Sequence, residues 1–212
     1  HEGAPVFSPN ARYIAYATEG DAADDGARIA VLDLRSGDEQ FVSTGAGLLD
    51  VWPSWFPDNE RILFARRGGG VGLYEVNLDG RQDERFVRVG WMPDMGMDGR
   101  SIAYIKRGVA RIPHDEAYIY DMDAGTDTRV PIDLPDPMIL QVPRWAGPDR
   151  LVVSEQAGDV YLVDIATGKH QRVPVAGWSA RAFDTAHPWD VSARGKKPFT
   201  WGWLKSLAGA PQ

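Results

Sequence analysis

Cysteine is absent from all 212 residues, which removes at once a disulfide framework, a thiolate zinc site and a cysteine nucleophile. Long apolar runs are missing too: no stretch approaches the roughly 18 uninterrupted apolar residues of a transmembrane helix. No basic start leads into an apolar core and a small-residue cleavage site, so no signal peptide is visible. The chain opens at His1 and reads as a processed or truncated piece. Basic residues are outnumbered, 23 Lys and Arg against 30 Asp and Glu, for a net charge of −7; this argues against a nucleic-acid grip built on a basic footprint. Histidine occurs four times and never as His-Glu-x-x-His, so no zinc enzyme is recognisable. What is plentiful is apolar and turn-forming material. A hydrophobic share of 43% with eight tryptophans supplies a core, and 23 glycines with 15 prolines call for many turns.

A short unit recurs along the chain. Pro5-Val-Phe-Ser-Pro-Asn-Ala-Arg-Tyr-Ile-Ala-Tyr16, Pro53-Ser-Trp-Phe-Pro-Asp-Asn-Glu-Arg-Ile-Leu-Phe64, Pro93-Asp-Met-Gly-Met-Asp-Gly-Arg-Ser-Ile-Ala-Tyr104 and Pro143-Arg-Trp-Ala-Gly-Pro-Asp-Arg-Leu-Val-Val153 each read as a short strand, a turn and an apolar strand. In two copies proline takes the second place of a type I turn, where its fixed φ already suits the bend. A second unit follows each first one and ends in Asp or Asn, then Gly. Its marker falls at Asp33, Asn77, Asp121 and Asp164, at intervals of 44, 44 and 43 residues. A further apolar segment comes after each glycine (40–42, 85–87, 128–132, 171–175), reached through a hairpin in which Gly supplies φ > 0.

Four short strands per unit of about 44 residues, without a sustained helical period, is the pattern of propeller blades. Each blade is a twisted meander that hides its two faces only by stacking on its neighbours. The expected fold is therefore all-β: a β-propeller of four four-stranded blades over 5–47, 48–90, 91–137 and 138–180, a partial fifth over 186–205, and a tail over 206–212. Residues 1–205 form one domain in this reading.

The copies resemble the TolB-type bacterial propeller repeat: an aromatic residue, Ser-Pro-Asp-Gly, an Ile-Ala-Phe/Tyr strand, then a strand ending in Asp-x-x-x-Gly. The resemblance runs from Pro5 to Val175. Asn10-Ala11 and Asn59-Glu60 are read in the place of Asp-Gly in two copies, and the fourth copy is one residue short in its turn. The stretch Trp189-Asp-Val-Ser-Ala-Arg-Gly-Lys196 with Thr200-Trp-Gly-Trp-Leu-Lys205 looks like a fifth first half-unit. Propellers of this type commonly have six blades, so the resemblance implies a fragment of a larger ring, with an unpaired blade face. It also implies a periplasmic or extracellular protein that is monomeric when complete.

In propellers of this strand order, the loops entering each inner strand and those between second and third strands share one rim. The entering loops carry Asp50, Trp52, Trp91, Asp136, Met138, Trp178, Arg181, Asp184 and His187, a mixture of aromatic anchors and charges suited to partner recognition. The ordinary alternative is that each tryptophan packs between blades. The other loops hold Glu19 to Asp25, read as a solvated acidic loop rather than a cation site, and Arg66-Arg67 before three glycines, which lack the strand-loop-helix context of a phosphate site. Asp121-Met-Asp123 with Gly125 is turn chemistry, since it recurs as Asn77-Leu-Asp79-Gly80. Asp184, His187 and Ser192 are triad residue types without a Gly-x-Ser-x-Gly elbow. Inner strands carry mainly Phe7, Trp55, Met95 and Trp145, with Asp94 and Asp190 as the carboxylates.

The function expected from these features is a non-enzymatic module that holds a protein or peptide partner at the channel rim, without cofactor, metal, nucleic acid or membrane span. The alternative is the propeller portion of a larger enzyme, such as a prolyl-oligopeptidase-like peptidase.

Overall fold

The computed structural model describes residues 5–19, 26–45, 47–68, 71–79, 83–107, 115–132, 140–155 and 158–176. Among them every regular element is a strand, as the strand-only patterning predicts. Meander I comprises β1 (Val6–Phe7), β2 (Tyr13–Glu19), β3 (Ala27–Asp33) and β4 (Glu39–Phe41). Meander II comprises β5 (Leu49–Trp55), β6 (Arg61–Arg67), β7 (Gly72–Asn77) and β8 (Arg85–Arg88). Meander III runs through β9 (Trp91–Met95), β10 (Ser101–Lys106), β11 (Glu116–Asp121) and β12 (Thr126–Arg129), and meander IV through β13 (Leu140–Trp145), β14 (Arg150–Glu155), β15 (Asp159–Asp164) and β16 (His170–Ala176). Strands pair antiparallel with their neighbours in each meander, and a single parallel pair, Ala27 opposite Leu49, joins I to II. The predicted fifth half-unit and the tail lie outside the described residues.

The turns follow from their chemistry. The Asp-x-x-x-Gly markers close β-hairpins in which Gly37, Gly125 and Gly168 have positive φ and donate their N–H to the carbonyls of Asp33, Asp121 and Asp164 at 2.8, 2.8 and 2.9 Å. One consequence differs from expectation: β12 begins at Thr126, directly after the glycine, rather than at residue 128, because Thr126 already pairs with Asp121. In the first-unit turns the left-handed positions are Ala11 (φ 55°), Asn59 (φ 64°) and Gly99 (φ 71°). Asp58-Asn59, not Asn59-Glu60, therefore occupies the Asp-Gly place, and asparagine is there because it tolerates this conformation. Asp58 Oδ1 accepts the N–H groups of Glu60 and Arg61 at 2.9 and 3.0 Å, and Asp98 Oδ1 does the same for Arg100 and Ser101. The fourth turn is one residue shorter, with Trp145 opposite Leu151 where Met95 lies opposite Ile102.

The meanders stack face to face. On β6 the side chains alternate: Ile62 and Phe64 join Val6, Ala15, Ile29, Val31 and Trp55 in a core between meanders I and II, while Leu63 and Ala65 join the core shared with III and IV. A strand buried on both faces has no polar side, which explains the uninterrupted apolar runs in the second strands. Inner strands β1, β5, β9 and β13 touch in chain order. Phe7 is 61% exposed, whereas its counterparts Trp55 and Met95 are 6% exposed, each packed against the preceding meander. Among the described residues no meander covers Phe7.

Candidate recognition site

Strand register decides which loops share an end. Leu49 lies opposite Arg67, Trp91 opposite Ile105 and Leu140 opposite Glu155, so the start of each of the inner strands β5, β9 and β13 sits beside the end of the next strand. The two loop sets singled out in the sequence therefore meet at one rim.

At that rim the inner strands β5, β9 and β13 carry the same irregularity. Two residues, Trp52-Pro53, Met92-Pro93 or Val142-Pro143, stand where the partner strand has one. Proline cannot donate to the ladder and so fits a bulge. The residue before it takes positive φ in all three: 52° at Trp52, 51° at Met92 and 33° at Val142. This conformation is costly for residues with a Cβ, more so before proline, and it is held by the surrounding packing.

The bulges re-aim side chains around the inner strands. The Trp52 ring meets Trp91 edge to face with centroids 4.3 Å apart, and the Arg107 guanidinium lies 5.6 Å from the Trp91 ring. Val142 donates its N–H to Met92 Sδ at 3.2 Å. Trp52 is half-buried and Arg107 exposed, while Trp91 is 5% exposed with a buried Nε1 that lacks a hydrogen-bond partner. This arrangement offers a ring edge and a cation, the groups that hold an aromatic or acidic partner side chain.

Asp50, expected on this surface, is instead 0% exposed. Both its oxygens accept from Arg66, at 2.6 and 2.7 Å, and the other side of the guanidinium binds Glu84 at 2.5 and 2.8 Å. Arg66 packs over Tyr74, 4.7 Å from the ring centroid, and is saturated by carboxylates, so it offers no anion site. Burial pushes the Glu84 carboxyl up, yet the bonds from Arg66 and from the Thr44 N–H outweigh it and hold the group below its usual range. Nothing in the sequence singles out Glu84. It belongs to no periodic pattern, and its partners lie 18 and 40 residues away.

Asp94, on inner strand β9, is likewise engaged. It accepts from Arg144 Nη1 at 2.8 Å, from Ser54 Oγ at 3.2 Å and from the Trp145 N–H at 2.9 Å. Sequence reasoning passes over Arg144, because a strand arginine in a repeat reads as surface. Among the described residues no three His, Asp or Glu side chains converge as a metal site, and no helix is long and apolar enough to cross a membrane. Asp136, Met138, Trp178, Arg181, Asp184, His187 and Ser192, and the acidic loop after Glu19, lie outside the described residues.

No family model matches the chain. The β-propeller domain of the Trilobed protease from Pyrococcus furiosus superposes with a TM-score of 0.52 at 14% identity, covering 83% of this chain and 57% of that one. The four stacked meanders are thus propeller blades. The putative TolB from Agrobacterium tumefaciens superposes with a TM-score of 0.61 at 17% identity, covering 78% of this chain and 62% of that one. In sequence, the chain is 41% identical over 63 residues to the Tol-Pal system protein TolB of Xylella fastidiosa strain M12. That match takes in 29% of this chain and spans only 14% of the relative's length. The fold is a TolB-like β-propeller.

Proposed function

We propose that the chain is the larger part of a non-enzymatic propeller module that holds a protein or peptide partner at the bulged rim. The carrying observation is the repeated strained bulge, which turns Trp52 onto Trp91 beside Arg107 at the end where both loop sets meet. Strain kept at the same place in three blades is spent on side-chain placement. Trp52 and Arg107 form one part of the surface in this reading, with Trp91, expected on the surface but buried, as the ring behind them that Trp52 meets, and Met138, Trp178, Arg181, Asp184 and His187 supply the rest. Asp50 acts indirectly, by fixing Arg66.

The organisation that goes with it is one propeller domain over residues 1–205, including the fifth half-unit, within a ring of about six blades, monomeric when complete. The exposed Phe7 face supports a further blade packed against it. Likeness to TolB supports a periplasmic or extracellular location and a partner of the Tol-Pal kind.

The test is calorimetric titration of the chain with purified Pal protein, with pull-down from a periplasmic fraction alongside. Trp52→Ala, Arg107→Ala and Trp178→Ala are expected to weaken capture at least tenfold while leaving the unfolding transition cooperative. Unchanged capture in all three rules the reading out. A second reading, the propeller portion of a larger peptidase, is supported by the likeness to the Trilobed protease domain; a hydrolase domain encoded in the same reading frame would favour it.

A further inference from the structure

The charged cluster that closes on Arg66 in blade II recurs at the same strand positions in blade III with its charges altered. Arg66 is the sixth residue of β6, and Lys106 is the sixth residue of β10. Glu84 stands two places before the residue opposite Tyr74, and Asp127 two places before the residue opposite Tyr118. The third member differs. Val51 lies opposite Ala65 and Trp91 opposite Ile105, so the place that Asp50 takes beside Arg66 falls to Gly90. A Cβ on Gly90 would lie 2.4 Å from the Tyr104 ring, so no side chain fits there.

The blade III cluster thus lacks one carboxylate, and it gains a cation from the outer strand of blade II. Arg88 Nη2 donates to Asp127 Oδ2, Lys106 Nζ donates to the same oxygen at 2.8 Å, and the Tyr104 hydroxyl donates to Oδ1 at 2.8 Å. In blade II one arginine meets two carboxylates; here one carboxylate meets two cations, so the excess charge changes sign. The cations are also within reach of solvent. The Arg66 side chain is 8% exposed, whereas those of Arg88 and Lys106 are 25% and 36% exposed. Arg88 lies 4.4 Å from the Tyr120 ring centroid and Lys106 Nζ 3.9 Å from that of Tyr118. Both heads are therefore held in place beforehand, which leaves little ordering to oppose binding. An ammonium carries three N–H donors and a guanidinium five, more than one carboxylate can take.

We infer that Arg88 and Lys106 form a binding site for one further carboxylate at the outer junction of blades II and III. Blade II supplies the chemical precedent, since the cation at the same strand position there is satisfied by two carboxylates. Bonds from a fixed, partly desolvated cation to a carboxylate are the strong kind, and a single negative charge neutralises the excess. The carboxylate comes free in solution or on an acidic side chain of another polypeptide. The site stands independently of the partner-binding reading.

The experiment is nitrogen-15 NMR of the full 212-residue chain labelled on arginine and tryptophan side chains. It is titrated with sodium acetate against sodium chloride at matched ionic strength, and separately with the peptide acetyl-Glu-Glu-Glu-amide. The Arg88 Nε–H signal, identified by its loss in Arg88→Lys, is expected to shift saturably with acetate and not with chloride. The Nε–H signals of Arg66, already paired on both sides, and of exposed Arg100 are expected to stay in place. Lys106→Gln is expected to weaken acetate binding about fivefold, and Asp127→Asn, which removes the internal competitor, to strengthen it about threefold. That gain separates a binding site from a purely structural ion cluster, which the same substitution would only loosen. The Trp145 indole N–H, which donates to the Asp94 carbonyl at 3.1 Å, reports in the same spectra that the variants are folded. Four results each overturn the inference: acetate shifts that match those with chloride, equal responses at Arg88 and Arg100, acetate binding unchanged in Lys106→Gln, or acetate binding weakened in Asp127→Asn. Peptide binding much tighter than acetate assigns the carboxylate to a polypeptide, and peptide binding no tighter assigns it to a free carboxylate; both uphold the site.

Discussion

The indole N–H of Trp55 donates to the main-chain carbonyl of Val6, 3.1 Å away on the inner strand of the preceding blade, and Trp145 repeats the bond on Asp94 at the same distance. The repeat's aromatic position is thus a directional tether between blades as well as a core residue. Trp55→Phe keeps an aromatic ring in the core but removes the donor together with part of the buried apolar contact. The expected loss is about 1–2 kcal/mol, the net value of a buried hydrogen bond whose acceptor is left unpaired, read as a lower urea midpoint at unchanged slope.

Ala11 sits at φ 55° in a turn whose counterpart in the third blade is Gly99 at φ 71°. A Cβ in the left-handed region costs roughly 1–2 kcal/mol, partly offset by the greater freedom glycine has in the unfolded chain. Ala11→Gly is expected to stabilise the protein by about 0.5–1 kcal/mol. A scanning calorimetry trace with an unchanged or lower Tm would contradict the assignment of that turn.

Two hairpin glycines with similar torsions should respond unequally. A Cβ on Gly37 meets nothing within 4 Å, whereas one on Gly168 would lie 1.9 Å from the Pro131 carbonyl oxygen, where blade IV's outer hairpin passes the end of blade III. Gly37→Ala is expected to cost about 1 kcal/mol for torsion alone, and Gly168→Ala about 3 kcal/mol or more, because backbone must also move. Equal losses in denaturant titrations would mean that the two blades do not meet at this hairpin.

Arg66 carries two carboxylates, so removing it leaves the buried Asp50 and the partly buried Glu84 without a counter-charge. Arg66→Met is expected to cost about 3–5 kcal/mol. Arg66→Lys should recover only part of this, since a point charge cannot make the paired bonds of a planar fork. Thermal unfolding of both variants checks the order.

Acid should act through the same cluster and through the turn aspartates. Glu84, Asp58 and Asp98 are held below their ordinary values in the folded protein, because partial burial is outweighed by bonds from Arg66 to Glu84, from turn N–H groups and the Arg61 side chain to Asp58, and from the Ser101 hydroxyl and turn N–H groups to Asp98. A depressed folded-state value means that the unfolded chain takes up protons first. Their stabilisation is therefore complete above the usual carboxylate range, near pH 4 to 4.5, and is lost as pH falls through and below it. Glu84→Gln is expected to flatten the decline of Tm between about pH 5 and pH 3. An unchanged slope would show that Glu84 does not titrate against Arg66.

The local layout is legible in the sequence. Asp33, Asp121 and Asp164 with their glycines close hairpins because an Asx side chain and a left-handed glycine make that turn wherever they stand. The strand pairs of each blade follow from their alternation and spacing. Where sequence and structure differ locally, they differ by a residue or two. The Asp-Gly place falls on Asp58-Asn59 rather than Asn59-Glu60, and β12 begins at Thr126 rather than residue 128. The pattern shows that a turn exists, while the hydrogen bonds fix where it ends.

The candidate site is legible only as a location. Trp52 and Trp91 stand out because tryptophans in the expected entry loops are conspicuous, but the structure places them in β5 and β9, and their edge-to-face contact depends on a bulge that only strand pairing reveals. Asp50 reads as a surface charge because the residue that engages it, Arg66, lies 16 residues on and meets it only across a strand pair.

Sequence alone determined the repeat, its all-strand character and its turns, since these rest on side chains acting on their own stretch of backbone. Tertiary structure decided the rest. Whether Asp94 is a free carboxylate or the partner of Arg144, 50 residues away, depends on which faces two blades turn to each other. Burial decides too that such groups must be paired: in water each would keep its own hydration shell, whereas between blades there is no water to replace a missing partner.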